Sequence, residues 1–161
     1  MDYQVRKAGE GDWEAITAIY ASARKFMAQA GNPGQWGTNH PDEEQLRQDI
    51  AAGELYVLTD GDTIHGVFAF LLRPDPTYGV VYGGDWHADR PYGVLHRVAG
   101  DGSGGILHAA VAYAEQFTDC LRIDTHEKNL PMQRSIAREG FQKCGIIHLL
   151  NGEPRIAFDR V

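Results

Sequence analysis

The sequence predicts a single mixed α/β domain over residues 1–161, with element order β-α-α-β-β-β-α-β-α-β-β. Three observations predict it. Segments with period-two apolar alternation are interleaved with segments of helical periodicity. A strand, a glycine-rich loop, a helix and another strand follow one another from Val94 to His126, which reads as a right-handed parallel crossover. The length of 161 residues, 43% of them apolar, suits one domain with a buried core.

Tyr3, Val5 and Lys7 alternate as a first strand, ended by Gly9. Asp12 is placed to cap a helix whose apolar stripe is Trp13, Ile16, Ile19, Tyr20, Ala23 and Phe26. Gly31-Asn32-Pro33-Gly34 stops it. Pro41-Asp42-Glu43-Glu44 suits the positive end of a second helix, with Leu46 and Ile50 buried and Gly53 at its end. Leu55–Leu58 and Ile64–Leu72 read as strands joined by a turn at Asp60-Gly61-Asp62. Arg73 to Gly93, rich in proline and glycine, reads as an irregular excursion before a strand at Val94–Ala99. From Ile106 a helix presents Leu107, Ala110, Val111, Ala114 and Phe117 on one face. Leu121, Ile123 and Thr125 alternate as a strand, and Asn129 and Pro131 open a short helix that Gly140 stops. Phe141–Leu150 and Arg155–Val161 form a closing pair of strands around an Asn151-Gly152 turn.

The net charge of −7 argues against a nucleic-acid or anionic-membrane binder driven by bulk charge. No apolar run approaches the ~20 residues of a membrane span. Met1-Asp2-Tyr3-Gln4 opens directly into polar sequence, so a cytoplasmic location with two reduced thiols, Cys120 and Cys144, is the expectation. Glycine is the compositional outlier, at 19 of 161 residues against about 7% on average.

Much of that excess lies in Gly100-Asp101-Gly102-Ser103-Gly104-Gly105, between a strand and a helix. Glycines let backbone N–H groups converge without Cβ interference, and the helix start adds free amides and partial positive charge. Together they make an anion cradle suited to phosphate. The string also satisfies the dinucleotide fingerprint G-x-G-x-x-G, with Asp124 where a ribose-binding acid is expected, so a dinucleotide-dependent oxidoreductase is an alternative. Against it, too few residues follow Gly105 for a second mononucleotide-binding half.

The element order, the glycine loop and the motifs His96-Arg97-Val98-Ala99, Asp124-Thr125-His126 and Cys144-Gly145-Ile146-Ile147 resemble the GNAT N-acetyltransferases, small bacterial members in particular, over essentially the whole chain. The resemblance implies the GNAT-like fold and acetyl-CoA as cofactor. It implies that the pantetheine arm lies between splayed fourth and fifth strands, along Val98, Ala99 and Gly100. It places the pyrophosphate on Gly102, Ser103, Gly104, Gly105 and Ile106, with Asn129 lining the channel. The partner it implies is a small-molecule or peptide amine, taken up by a monomer or homodimer. Two departures from the family pattern stand out. No Lys or Arg lies between Arg97 and Arg122, and Asp101 adds negative charge, so affinity for the cofactor should be modest, aided by Lys128, Arg134 or Arg138. Ile136 occupies the position where relatives carry a tyrosine acid, with Ser135 beside it, which keeps a non-enzymatic CoA-binding sensory domain as a second alternative.

Direct transfer needs a neutral amine. For a lysine-like amine this costs roughly 4.6 kcal/mol at pH 7, so a base must help. His96 is the candidate, because strand alternation puts His96, Val98 and Gly100 on one face. Gln35 and Trp36, in a loop, and Asp85 and Trp86, on the excursion, are candidate walls of the acceptor site. No metal site is expected, since Asp85-Trp86-His87-Ala88-Asp89 supplies one histidine and two carboxylates locally.

Overall fold

The computed structural model describes residues 2–32, 36 and 41–161. Its elements run β1 (Gln4–Lys7), α1 (Trp13–Gln29), α2 (Glu43–Ala51), β2 (Leu55–Asp60), β3 (Thr63–Leu71), β4 (Gly93–Gly100), α3 (Ile106–Ala114), β5 (Leu121–Thr125), α4 (Leu130–Arg138), β6 (Gln142–His148) and β7 (Pro154–Arg160). One-turn 3-10 helices lie at Glu10–Asp12 and Pro76–Tyr78. The strands form one seven-stranded sheet in the order β1-β2-β3-β4-β5-β7-β6. β4 and β5 are its parallel pair, joined through α3, and the other neighbours are antiparallel. The element order and mixed sheet are those the sequence predicts.

Helices cover both faces. Ile16, Ile19 and Tyr20 of α1 and Leu46 of α2 pack with Val57, Val67, Ala69 and Val94 on one side. Leu107, Ala110 and Val111 of α3 and Ile136 of α4 pack with Leu58, Phe68, Leu95, Val98 and Ile123 on the other. Local chemistry sets the helix starts. Asp42 accepts from the Gln45 N–H at 2.7 Å and caps α2, while Asn129 accepts from the Met132 N–H at 3.2 Å and caps α4.

Three expectations are corrected. Asp12 stands at the N-cap position of α1, but its side chain does not cap the helix: its carboxylate accepts from the Gly9 N–H at 2.8 Å and binds Arg6 through two 2.8 Å bonds, closing the 3-10 turn. Phe26 is 60% exposed, because it lines an open cleft rather than the core. Phe117 lies beyond the end of α3 and is 53% exposed.

β4 carries the feature that shapes the rest. Its ladder with β5 is confined to Gly93↔Leu121 and Val94↔Arg122, after which the strands separate. Its ladder with β3 continues to Gly100, but with a bulge: Ala69 pairs His96, whereas Val67 pairs Ala99. The extra residue is Arg97, at φ 53, the non-glycine residue with positive φ among the described residues. A non-glycine residue there costs on the order of 1–2 kcal/mol. Two side chains hold it. The Tyr20 hydroxyl donates to the Arg97 carbonyl at 2.7 Å, and the Arg97 guanidinium grips Asp49 through bonds of 2.8 and 3.1 Å. Asp49 is 3% exposed, so this is a buried, bidentate pair.

The bulge reverses the alternation of side chains. Val94, His96 and Ala99 face α1 and α2, whereas Leu95 and Val98 face α3 and α4. The expectation that His96 and Val98 share a face is therefore corrected; they lie on opposite faces of the sheet.

Asp49→Ala should lower stability by about 3 kcal/mol in denaturant unfolding, because it strands a buried guanidinium at a strained residue. A loss under about 1 kcal/mol would show that the ion pair does not hold the bulge.

Candidate active site

Where β4 and β5 diverge, a cleft of about 650 Å³ opens. Val98, Ala99 and Gly100 of β4 form one wall, and Gly102, Gly104, Gly105 and Ile106 form the end above them. Asn129, Pro131, Met132, Ser135 and Arg138 supply the opposite wall, while Phe26 and Met27 of α1 close the apolar side. The exposed Phe26 thus becomes part of this wall.

The loop is built for an anion. Gly102, Gly104 and Gly105 sit at φ 94, 84 and 74, a conformation only glycine adopts cheaply. Gly105 is the N-cap residue of α3 and offers no side chain, so the first-turn amides of α3 are left for a ligand. The loop is also latched. The Tyr3 hydroxyl donates to the Gly104 carbonyl at 2.6 Å, and the Asp101 N–H to the His65 carbonyl at 3.0 Å.

The Asp101 carboxylate turns back on the loop. It accepts from the Ser103 N–H at 3.0 Å and meets His65 Nδ1 at 2.7 Å. Burial raises this carboxyl, but the bonds from Ser103 and His65 outweigh it and hold the group below the usual carboxylate range. Ser103 differs from its expected role. Its amide is engaged by Asp101, its Oγ lies 3.1 Å from His65 Nδ1, and it is absent from the cleft lining. Val98, Ala99, Gly100, Gly102, Gly104, Gly105, Ile106 and Asn129 do line the cleft.

On the opposite face, His96 sits just past the last β4–β5 pair. Its Nε2 is 2.6 Å from an Asp75 carboxylate oxygen, and its Nδ1 is 3.8 Å from Asp124 on β5. Asp124 accepts from the Tyr78 hydroxyl at 2.7 Å. Asp75 also accepts from the amide and hydroxyl of Thr77 at 2.8 and 2.6 Å. Burial would raise the Asp75 carboxyl, but the bonds from His96 and Thr77 prevail and hold it at about 2. The sequence analysis missed Asp75. The string Asp75-Pro76-Thr77 reads as a cap before a turn, which signals a fixed carboxylate but not that it meets His96. Asp124 lies on the His96 face, away from the glycine loop, so the ribose-binding role considered for it is overturned. β6 and β7 form an antiparallel pair, which leaves no second mononucleotide-binding half.

The expected acceptor walls fare differently. Trp36 is buried, packing edge-on against Tyr20 with ring centres 5.6 Å apart, because the loop needs an apolar anchor. Gln35 lies outside the described residues. Trp86 is half-buried, with the Arg122 guanidinium 4.0 Å from its ring centre and its Nε1–H donating to the Tyr78 carbonyl at 2.9 Å. Asp85 is exposed, and its carboxylate accepts from the Trp86 N–H at 2.8 Å. Asp85 and Trp86 brace the His96 surroundings and are absent from the cleft lining. Ile136 is fully buried, which turns Ser135 to the cleft.

No protein-family model and no curated protein matches the chain. Solved structures do. A GNAT-family acetyltransferase of Streptococcus agalactiae is 26% identical, with TM-score 0.88 over 99% of this chain and 95% of that one. The chain has the fold of the GNAT-family acetyltransferases. A GNAT acetyltransferase of Listeria monocytogenes has the same fold at 20% identity, TM-score 0.71, over 98% and 94% of the two chains. A Salmonella typhimurium protein, 14% identical with TM-score 0.62 over 99% and 93%, is solved with its cofactor acetyl-CoA. Among the described residues no helix is long and apolar enough to cross a membrane.

Asp75→Asn should destabilise the chain at pH 7. A carboxylate with a lowered pKa contributes fully above its unfolded value of about 4, and the contribution fades as pH falls toward about 2. Denaturant unfolding of variant and wild type should therefore converge below about pH 4. A gap that stays constant down to pH 3 would contradict the assignment.

Proposed function

We propose that the chain transfers the acetyl group of acetyl-CoA to a primary amine by direct attack within a ternary complex. The observation that carries this reading is the continuity of the uncapped α3 amides with the unpaired edge of β4 in one cleft. A pyrophosphate fits the first, and an amide-bearing arm fits the second as an added strand would. Gly100 supports the fit, since a Cβ there would stand 2.6 Å from Ile106, so only glycine lets α3 press onto β4.

Bound acetyl-CoA supplies an acetyl group activated as a thioester. The chain's own residues do the rest. The amides of Gly102, Gly104, Gly105 and Ile106 hold the phosphates, with Arg138 as the arginine of the described lining. Phe26, Met27 and Met132 exclude water from the apolar wall. His96 lies outside that lining, on the α1–α2 face where β4 and β5 have parted, and takes the proton from an amine that enters on that side. With Nε2–H donated to Asp75, Nδ1 is left as the acceptor, and the imidazolium that forms is flanked by Asp75 and Asp124. The same two carboxylates favour a cationic amine as acceptor. Ser135, whose Oγ accepts from Arg138 at 3.1 Å, is the cleft hydroxyl that hydrogen-bonds the departing thiolate. A thiol pKa of about 8.5 makes that group a fair leaving group.

Acetyl-CoA should raise the melting temperature, and NAD(P) should not. Stabilisation by NAD(P) alone would overturn the proposal. With an amine panel and detection of free CoA thiol, His96→Gln should reduce kcat about 100-fold and leave the KM for acetyl-CoA nearly unchanged. An unchanged rate from pH 6 to 9 would remove His96 as the base. Tight CoA binding without turnover on any amine would favour the sensory alternative, to which the buried Ile136 also points.

A further inference from the structure

We propose that His87, Cys144 and Asp159 form a binding site for one thiophilic divalent cation of the zinc class. One ligand atom from each lies within 4.8 Å of the other two. Nitrogen, sulfur and carboxylate oxygen are the donors such a cation takes.

The fold brings them from three segments. Asp159 lies on β7 and is 1% exposed. Cys144 is the extra residue of a bulge in β6, between the pairs Lys143↔Phe158 and Gly145↔Ala157, and the bulge aims its sulfur toward β7. His87 lies on the excursion before β4 and is 39% exposed. The excursion is pressed onto the bulge: Tyr82 and Ile146 exchange backbone bonds of 2.8 and 2.9 Å, and a Cβ on Gly84 would collide with the Cys144 carbonyl.

One donor spacing already matches tetrahedral coordination, and the three donor atoms lie within 4.8 Å of one another. Bond lengths near 2.0–2.3 Å put donor atoms about 3.3–3.6 Å apart. Cys144 Sγ and His87 Nδ1 are 3.4 Å apart. His87 Nδ1 and Asp159 Oδ1 are 2.7 Å apart, so that pair must open by about half an ångström. The imidazole, 39% exposed, can make this shift, and its open side is the way in for a cation and a fourth, water ligand. Thiolate and carboxylate together neutralise a divalent charge. Arg122, opposite Asp159 in register, donates one guanidinium nitrogen to the Ala88 carbonyl and lies over the Trp86 and Tyr92 rings.

The alternative use of such a trio is an activated thiol, and the geometry disfavours it. The same ring nitrogen meets both the sulfur and the carboxylate, so no relay runs through the ring. The bound cation would staple the excursion to the β6–β7 hairpin and fix Trp86, which packs on Tyr78 beside His96.

The test uses the full chain freed of metal with a chelator. Zn²⁺ should bind at one per chain, raise the melting temperature and protect Cys144, but not Cys120, from alkylation mapped by mass spectrometry. Co²⁺ should give a thiolate-to-metal charge-transfer band. Cys144→Ser should abolish the band and, with circular dichroism confirming its fold, the Zn²⁺-induced rise in melting temperature. His87→Gln, at an exposed position, should weaken Zn²⁺ binding about tenfold or more. Binding without the cobalt–thiolate band, protection of Cys144 undiminished in His87→Gln, or no Zn²⁺ binding at all would each overturn the proposal. None of these readouts depends on acetyl transfer.

Discussion

A buried ion pair between Arg97 on β4 and Asp49 on α2 holds the one strained non-glycine residue among those described, and the candidate site depends on it. With Arg97 in a left-handed conformation, β4 gains an extra residue and reverses its alternation. That puts Val98 on the α3–α4 face, along the cleft, and His96 on the α1–α2 face among carboxylates. A regular strand would put both side chains on one face. Tyr20 completes the arrangement by donating to the Arg97 carbonyl, and Trp36 packs behind Tyr20. The loop tryptophan thereby supports the bulge from the core.

The second constraint is how an acidic chain makes room for an anionic ligand. The loop offers no lysine or arginine, and it carries Asp101. Asp101 lines the cleft, but its carboxylate is engaged by the Ser103 N–H and His65 and serves to fix the loop. What the loop adds beside it is backbone amide, backed by the dipole of α3. Glycine follows from the same need, because the turn has three successive demands for positive φ in four residues.

Much of the fold was legible because periodicity and caps are local. Asp42, Asn129, Pro131 and Gly140 mark helix ends in the sequence, and the structure uses them there. The glycine loop was legible for the same reason. What was hidden depends on contacts between distant segments. The bulge has no local signature, since Arg97 is an ordinary strand residue until Asp49 and Tyr20 reach it from two helices. Asp75 meets His96 across 21 residues, and Cys144 meets His87 across 57. Phe26 and Phe117 fit helical stripes yet are exposed, Phe26 on the cleft wall and Phe117 past the end of α3 against Phe70 and Tyr113. Resemblance supplied the family and the cleft; it did not supply the partners of His96.

The central claim is that the free edge of β4 and the uncapped start of α3 together receive the cofactor. Amide hydrogen exchange with and without CoA measures this directly. The account predicts slowed exchange at Val98–Gly100 and Gly102–His108, with β6 and β7 unchanged. Slowing confined to other segments, with these amides unaffected at saturating CoA, would contradict it.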